Sequence, residues 1–338
     1  MSIPPVIQVS PLGFPWQCQD PFLFTVHHED DYPAGNGQLG PQGSLEGRPL
    51  GQDFDPEADW RMYHGAVVPG FPSHPHRGFE TVTVVRKGLA DHFDSLGATS
   101  RFGHGDTQWM TAGSGVQHAE MFPLVNTDRG NPLELFQIWL NLPAASKQVA
   151  PYYTMLWAED LPKLTQKDSL GRVTEVEVVA GSIAGVLPLA PPPDSWAADP
   201  ENGVAIWVIR MEAGAVWTLP AGISRLNRTL FYYQGLTIDL EGNRISVGNS
   251  IRVVPDREAR ITNGDSESFL LLLQGKPIGE PVVASGPFVM NSEAEIQQAY
   301  ADFRRTRFGG WPWPANDPVH PRERGRFARY PDGTEEVR

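Results

Sequence analysis

His74-Pro75-His76-Arg77-Gly78-Phe79-Glu80-Thr81-Val82-Thr83 and, further on, His118-Ala119-Glu120 decide how this chain is read. Each contains a pair spaced i, i+2. On a β-strand, side chains two apart point to the same face, so each pair aims both polar groups into one space. Two such strands facing each other across a small barrel offer three imidazoles and a carboxylate to a single ion. A first-row metal wants ligands at about 2.0–2.2 Å in a fixed arrangement, and strands hold side chains in place better than loops do. A lone histidine would carry no such weight; two pairs with glycine turns between them make chance a poor explanation.

Outward from these pairs, short β-rich segments dominate. Phe79–Val85 is full of β-branched residues and stops at Lys87-Gly88, a strand followed by a turn. Leu89–Asp94, Thr107–Met110 and Leu133–Leu140 read as strands, as do Val204–Ile209, Thr229–Tyr233 and Phe269–Leu273 in the second half. With 34 glycines and 32 prolines punctuating the chain, the expectation is an all-β fold of sandwiches or barrels. One helix stands out: Ser292 and Glu295 form a capping box ahead of Ile296, Tyr300 and Phe303. Residues 34–53 and 188–200 read as long loops, the first as a rim or lid.

A length of 338 residues exceeds one average domain. The expected division is 1–145 as an N-terminal metal-binding domain, 146–303 as a second domain lacking metal ligands, and 304–338 as a tail packed on the body. The second domain is expected to be metal-free because no histidine occurs between Ala119 and Val319. The balance of 27 basic against 40 acidic residues, −13 overall, argues against direct nucleic-acid binding. Cys18 is the only cysteine, which leaves no disulfide within the chain and fits a reducing compartment. Neither a signal peptide nor a membrane-spanning stretch is visible, so the expected location is the cytoplasm.

The pattern His-x-His-x3-Glu, then a Gly-Asp turn at Gly105-Asp106, then Gly115 three residues before His118, is the paired motif of the cupin barrel, although the spacer from Gly70 to His74 is short. The run His74–Thr83, Asp94-Ser95, Gly105–Gly113 and His118-Ala119-Glu120-Met121 closely resembles the pirin family, and so does Gly286-Pro287-Phe288-Val289-Met290-Asn291. The likeness is dense over residues 55–160 and returns at 275–315. It implies two cupin (double-stranded β-helix) barrels in one chain with a short C-terminal helix, and one Fe(2+) per chain in the first barrel. Other divalent transition metals would also suit a nitrogen and oxygen donor set.

Carried over by position, the ligands would be His74, His76, His118 and Glu120. General cupins would instead use Glu80, and strand parity permits either; on the pirin pattern Glu80 would stand behind the ligands and orient an imidazole. The activity implied is that of a quercetin 2,3-dioxygenase, opening a flavonol ring with dioxygen, with Glu120 or Glu80 as general base. Arg77, Trp109 and Met121 border the ligands in sequence and are candidate pocket walls. No organic cofactor is implied. The alternative is a non-enzymatic, metal-dependent co-regulator that binds a protein partner.

Overall fold

The computed structural model describes residues 5–338, so the first four residues of the N-terminal stretch read above lie outside them. The chain forms two compact units that interleave in sequence. One joins the segment ending at Thr25 to Glu159–Gly279; the other joins Val26–Ala158 to Glu280–Arg338. Consecutive ranges of 1–145, 146–303 and 304–338 therefore do not describe the compact bodies. The reason is strand pairing: Val6–Pro11 hydrogen-bonds antiparallel to Asn249–Val253, and Phe327–Arg329 to Thr99–Gly103. Each terminus is thereby drawn into a sheet built from distant residues.

The unit containing Glu159–Gly279 holds a seven-stranded sheet, with Asn227–Gln234, Ser268–Gly275 and Ala205–Met211 at its centre, and a four-stranded sheet running Val216–Leu219, Ala259–Asn263, Thr237–Leu240, Asn243–Ser246. Its interior is apolar, with Trp207, Leu230, Leu272, Ile251, Trp217 and Ile261 all buried in one cluster. No imidazole is available there.

The other unit is a barrel of two facing sheets. One runs in the order Tyr152–Leu156, Thr107–Thr111, Phe79–Lys87, Asn131–Asn141, Phe22–Tyr32. Facing it is a six-stranded sheet in the order Glu335–Val337, Phe327–Arg329, Thr99–Gly103, Leu89–Asp94, Val116–Met121, Gly70–His76. The folds are those of two cupin barrels, one in each unit. The helix Glu293–Thr306 starts where the capping box predicts: the Ser292 hydroxyl accepts from the Glu295 amide, and Glu295 accepts from the Asn291 amide at 2.9 Å. Its buried Ile296 and Ala299 pack with Phe288 and Met290. Among the described residues, no helix is long and apolar enough to cross a membrane.

Candidate metal centre

The register between Gly70–His76 and Val116–Met121 places His74 directly opposite His118. Strand parity then puts His76 on the same face. Donor atoms of His74, His76 and His118 all lie within 4.8 Å of one another. The ring centroids of His74 and His118 are 4.5 Å apart, and those of His76 and His118 are 4.9 Å apart.

Two of the rings are oriented from behind. His74 Nδ1 lies 2.9 Å from the Pro72 carbonyl, and His76 Nδ1 lies 3.3 Å from that of Pro287. A carbonyl can only accept, so both Nδ1 atoms carry the proton and both Nε2 atoms present a lone pair, the tautomer a metal ligand needs. Burial lowers all three imidazoles, His74 to about 4 and His76 and His118 well below the ordinary 6.5. They are neutral at neutral pH. Neither ring nitrogen of buried His118 has a hydrogen-bond partner. An imidazole with two orphaned nitrogens beside two outward lone pairs is what a cation would satisfy, so the donor set fits a transition metal.

Glu120 lies two residues along from His118, on the same face. Its Oε2 sits 3.7 Å from His118 Nε2 and accepts from Gln137 Nε2 at 2.7 Å. Thr83 Oγ1 lies 3.2 Å from Glu120 Oε1 and 2.5 Å from Gln137 Oε1, its one proton shared between the two acceptors. Burial raises the Glu120 carboxyl above its ordinary value, opposed by the charge of His92 and by the hydrogen bonds of Thr83 and Gln137. The structure thus brings His74, His76 and His118 into one cluster, with Glu120 beside His118 rather than within reach of all three.

Glu80 is placed elsewhere. The Gly70–His76 strand ends at His76, and a new strand starts at Phe79 after the turn at Arg77-Gly78, where Gly78 has φ +86°. Parity restarts there. Thr83 points into the barrel, so Phe79 and Thr81 do too, whereas Glu80 lies on the opposite face, paired with Thr111, whose hydroxyl donates to it at 2.6 Å. The expected roles of Glu80 as base or as a prop for an imidazole lose their geometry.

The three expected pocket walls also lie outside the cavity. Trp109 pairs with Val82 and shares the outer face with Glu80. Met121 alternates with Glu120 and packs with Leu39 and Val68. Arg77 donates to the Ser114 carbonyl and to Asp302 of the helix at 2.9 Å, with its guanidinium over Phe308; it fastens the helix to the barrel.

The aromatic side chains beside the histidines that the sequence reading missed are Trp139 and, fully buried behind it and stacked at 4.0 Å, Phe79, with ring centroids 5.3 and 5.1 Å from that of His76. His74, Gln137 and Trp139 are only partly buried, so solvent reaches the cluster from their side. Deeper in, His92 stacks on Tyr153 at 5.1 Å with its Nδ1 unpartnered, and buried Gln108 has neither amide atom bonded. Period-2 alternation along Leu133–Leu140 was the available signal for Gln137 and Trp139.

Fold and site together define a bicupin with a metal-type histidine cluster in one barrel. The family model described as Pirin matches residues 49–140, and that described as Pirin C-terminal cupin domain matches residues 206–309. A pirin-like protein of Caulobacter vibrioides is 36% identical over 277 residues, spanning 78% of this chain and 90% of its own length. This chain belongs to the pirin family. A Pseudomonas aeruginosa protein provisionally named a quercetin 2,3-dioxygenase is 35% identical over 252 residues, covering 71% of this chain and 79% of that one. Among solved structures, a quercetin 2,3-dioxygenase from Acinetobacter baumannii superposes with a TM-score of 0.70 at 25% identity, covering 91% of this chain and 99% of the other.

Proposed function

We propose that this chain is a metal-dependent oxidoreductase of the quercetin 2,3-dioxygenase type, acting on a flavonol with dioxygen in the cytoplasm. The observation that carries the reading is the pairing of three neutral, convergent imidazoles with a carboxylate held ready by Gln137. His74, His76, His118 and Glu120 would hold the ion, Fe(2+) or another divalent transition metal. When bound, such an ion supplies Lewis acidity that lowers the pKa of a flavonol hydroxyl.

The chain's own residues do the rest. Trp139, backed by the stacked and buried Phe79, offers an aromatic face to a flat ring system. Glu120, with its pKa raised by burial, is suited to take the hydroxyl proton on Oε1 or Oε2. Gln137 orients that carboxylate. The buried walls exclude bulk water from the electron-rich ring.

The test is elemental analysis of protein purified without added metal, followed by oxygen uptake with quercetin. Near-stoichiometric metal with substrate-dependent uptake supports the reading. Bound metal with no uptake on any flavonol overturns the enzyme reading and favours the co-regulator. Absence of metal even after incubation with ferrous salt overturns the centre itself.

A further inference from the structure

A cavity of about 560 Å³ opens in the same barrel unit at the far end of the Phe79–Lys87 strand, bordered by Lys87, Gly88 and Leu89 on one side and by the 122–133 segment on the other. Eight residue steps separate Phe79, beside the histidines, from Lys87. At ~3.3 Å per step this is roughly 26 Å; Phe122 of the lining follows Glu120 by only two residues, but none of His74, His76, His118 and Glu120 borders the cavity. The volume lies in the range of small-molecule sites.

The walls are preformed. Asn131 Nδ2 donates to the carbonyls of Pro33 and Asn126, and its Oδ1 accepts from the Asn126 amide at 2.8 Å, which closes the 126–131 loop. The 34–53 loop braces the same wall from behind: the Gly35 amide donates to Asn126 at 2.7 Å, and the Leu124 amide donates to Leu39 at 2.9 Å. A Cβ on Gly35 would fall 2.1 Å from the Leu124 carbonyl oxygen, so only glycine allows this approach. The opposite wall is equally close, since a Cβ on Gly88 would meet the Pro132 carbonyl oxygen at 2.8 Å. This gives the loop a role other than that of a lid.

The lining chemistry is lopsided. Phe122, Leu124 and Leu133 make it apolar, while Arg86, Lys87, His104 and Arg129 border it, and no Asp or Glu among the described residues does. That is unusual in a chain of net charge −13. Lys87 is committed to Glu134 at 2.7 Å. No described carboxylate pairs with Arg129, which rises from the loop that Asn131 pins.

We propose that this cavity is a second ligand site, for a flat apolar monocarboxylate. Its ring would enter between Phe122, Leu124 and Leu133, with its carboxylate on the Arg129 fork. A phosphate, strongly hydrated and needing several donors, does not match walls this apolar. The inference is independent of the activity proposed above.

The test is calorimetric titration of the full-length protein with 2-naphthoate, of the neutral 2-naphthylmethanol, and of two variants. One saturable site is expected, with about tenfold weaker binding of the alcohol and about tenfold weaker binding of 2-naphthoate by Arg129→Ala. Arg129 is exposed, so that variant is expected to fold. His118→Ala is expected to bind 2-naphthoate as the wild type does. No saturation at millimolar probe, unchanged affinity in Arg129→Ala, equal binding of the alcohol, or loss in His118→Ala would each overturn the proposal.

Discussion

Gln137 Nε2 donates to Glu120 Oε2 at 2.7 Å across the barrel, from the strand Asn131–Asn141 to the strand Val116–Met121. An amide that holds a carboxylate in place without itself reaching the histidine cluster should affect turnover more than metal retention. Gln137→Leu is expected to keep metal content within about twofold of wild type while quercetin-dependent oxygen uptake drops about 10- to 100-fold, the usual range for losing an orienting partner. Metal analysis and oxygen electrode traces on the same preparation separate the two effects.

Glu80 and Glu120 are expected to part company on substitution. Glu120→Gln removes an anionic group 3.7 Å from His118 Nε2 and should weaken metal binding by about tenfold or more. Glu80→Gln leaves the cavity intact, so metal stoichiometry should match wild type, while stability drops by about 1–3 kcal/mol because a buried hydrogen-bonded carboxylate is altered. Dialysis against a graded chelator reads the first, and urea unfolding the second. Equal metal loss in both variants would return Glu80 to the site.

Much of this was legible in local sequence because β parity is a local property. The pairs His74/His76 and His118/Glu120 needed only the i, i+2 rule, and the strands around Phe79, Leu133 and Phe269 needed only composition and glycine turns. What misled was continuity. Glu80 shares parity with His76 only if one strand runs through Arg77-Gly78, and the left-handed glycine there breaks it. Met121 adjoins Glu120 in sequence, yet adjacent residues on a strand face opposite ways. Gln137 and Trp139 carry the right alternation, but their meeting with Glu120 and His76 is set by pairing across the barrel. The path of the C-terminal tail depends on Arg101, a partner more than two hundred residues away, and no local pattern encodes that.

Arg101 is that tail's anchor. Fully buried, it makes two bonds to Asp91, Nε to Oδ1 at 2.6 Å and Nη2 to Oδ2 at 2.8 Å, and it donates to the carbonyls of His320, Pro321 and Arg324. Asp91 also accepts from the His320 amide at 2.8 Å. Arg101→Met would strand the Asp91 carboxylate in the interior, which costs about 3–5 kcal/mol. The expected readout is a lower urea midpoint with new protease cleavage beyond residue 320, and Asp91→Asn paired with Arg101→Met should restore part of the loss.

Acid sensitivity is expected at Glu134. Its side chain is 5% exposed and lies 2.7 Å from Lys87 Nζ and 3.6 Å from His27 Nε2. Burial by itself would push this carboxyl up, but the close approach of His27 and the bond to Lys87 with its charge outweigh it and hold the pKa at about 2 against an ordinary 4.5. A carboxyl depressed on folding binds fewer protons folded than unfolded, so its contribution is complete above pH 4.5 and lost as pH falls toward 2. With Lys87 half exposed and therefore partly screened, the amount is on the order of 2–3 kcal/mol. Urea unfolding at pH 6 and pH 3 should show wild type losing somewhat over half of that, about 1–2 kcal/mol, more stability than Glu134→Gln over the interval. Parallel losses in the two proteins would mean that the pair contributes nothing on folding.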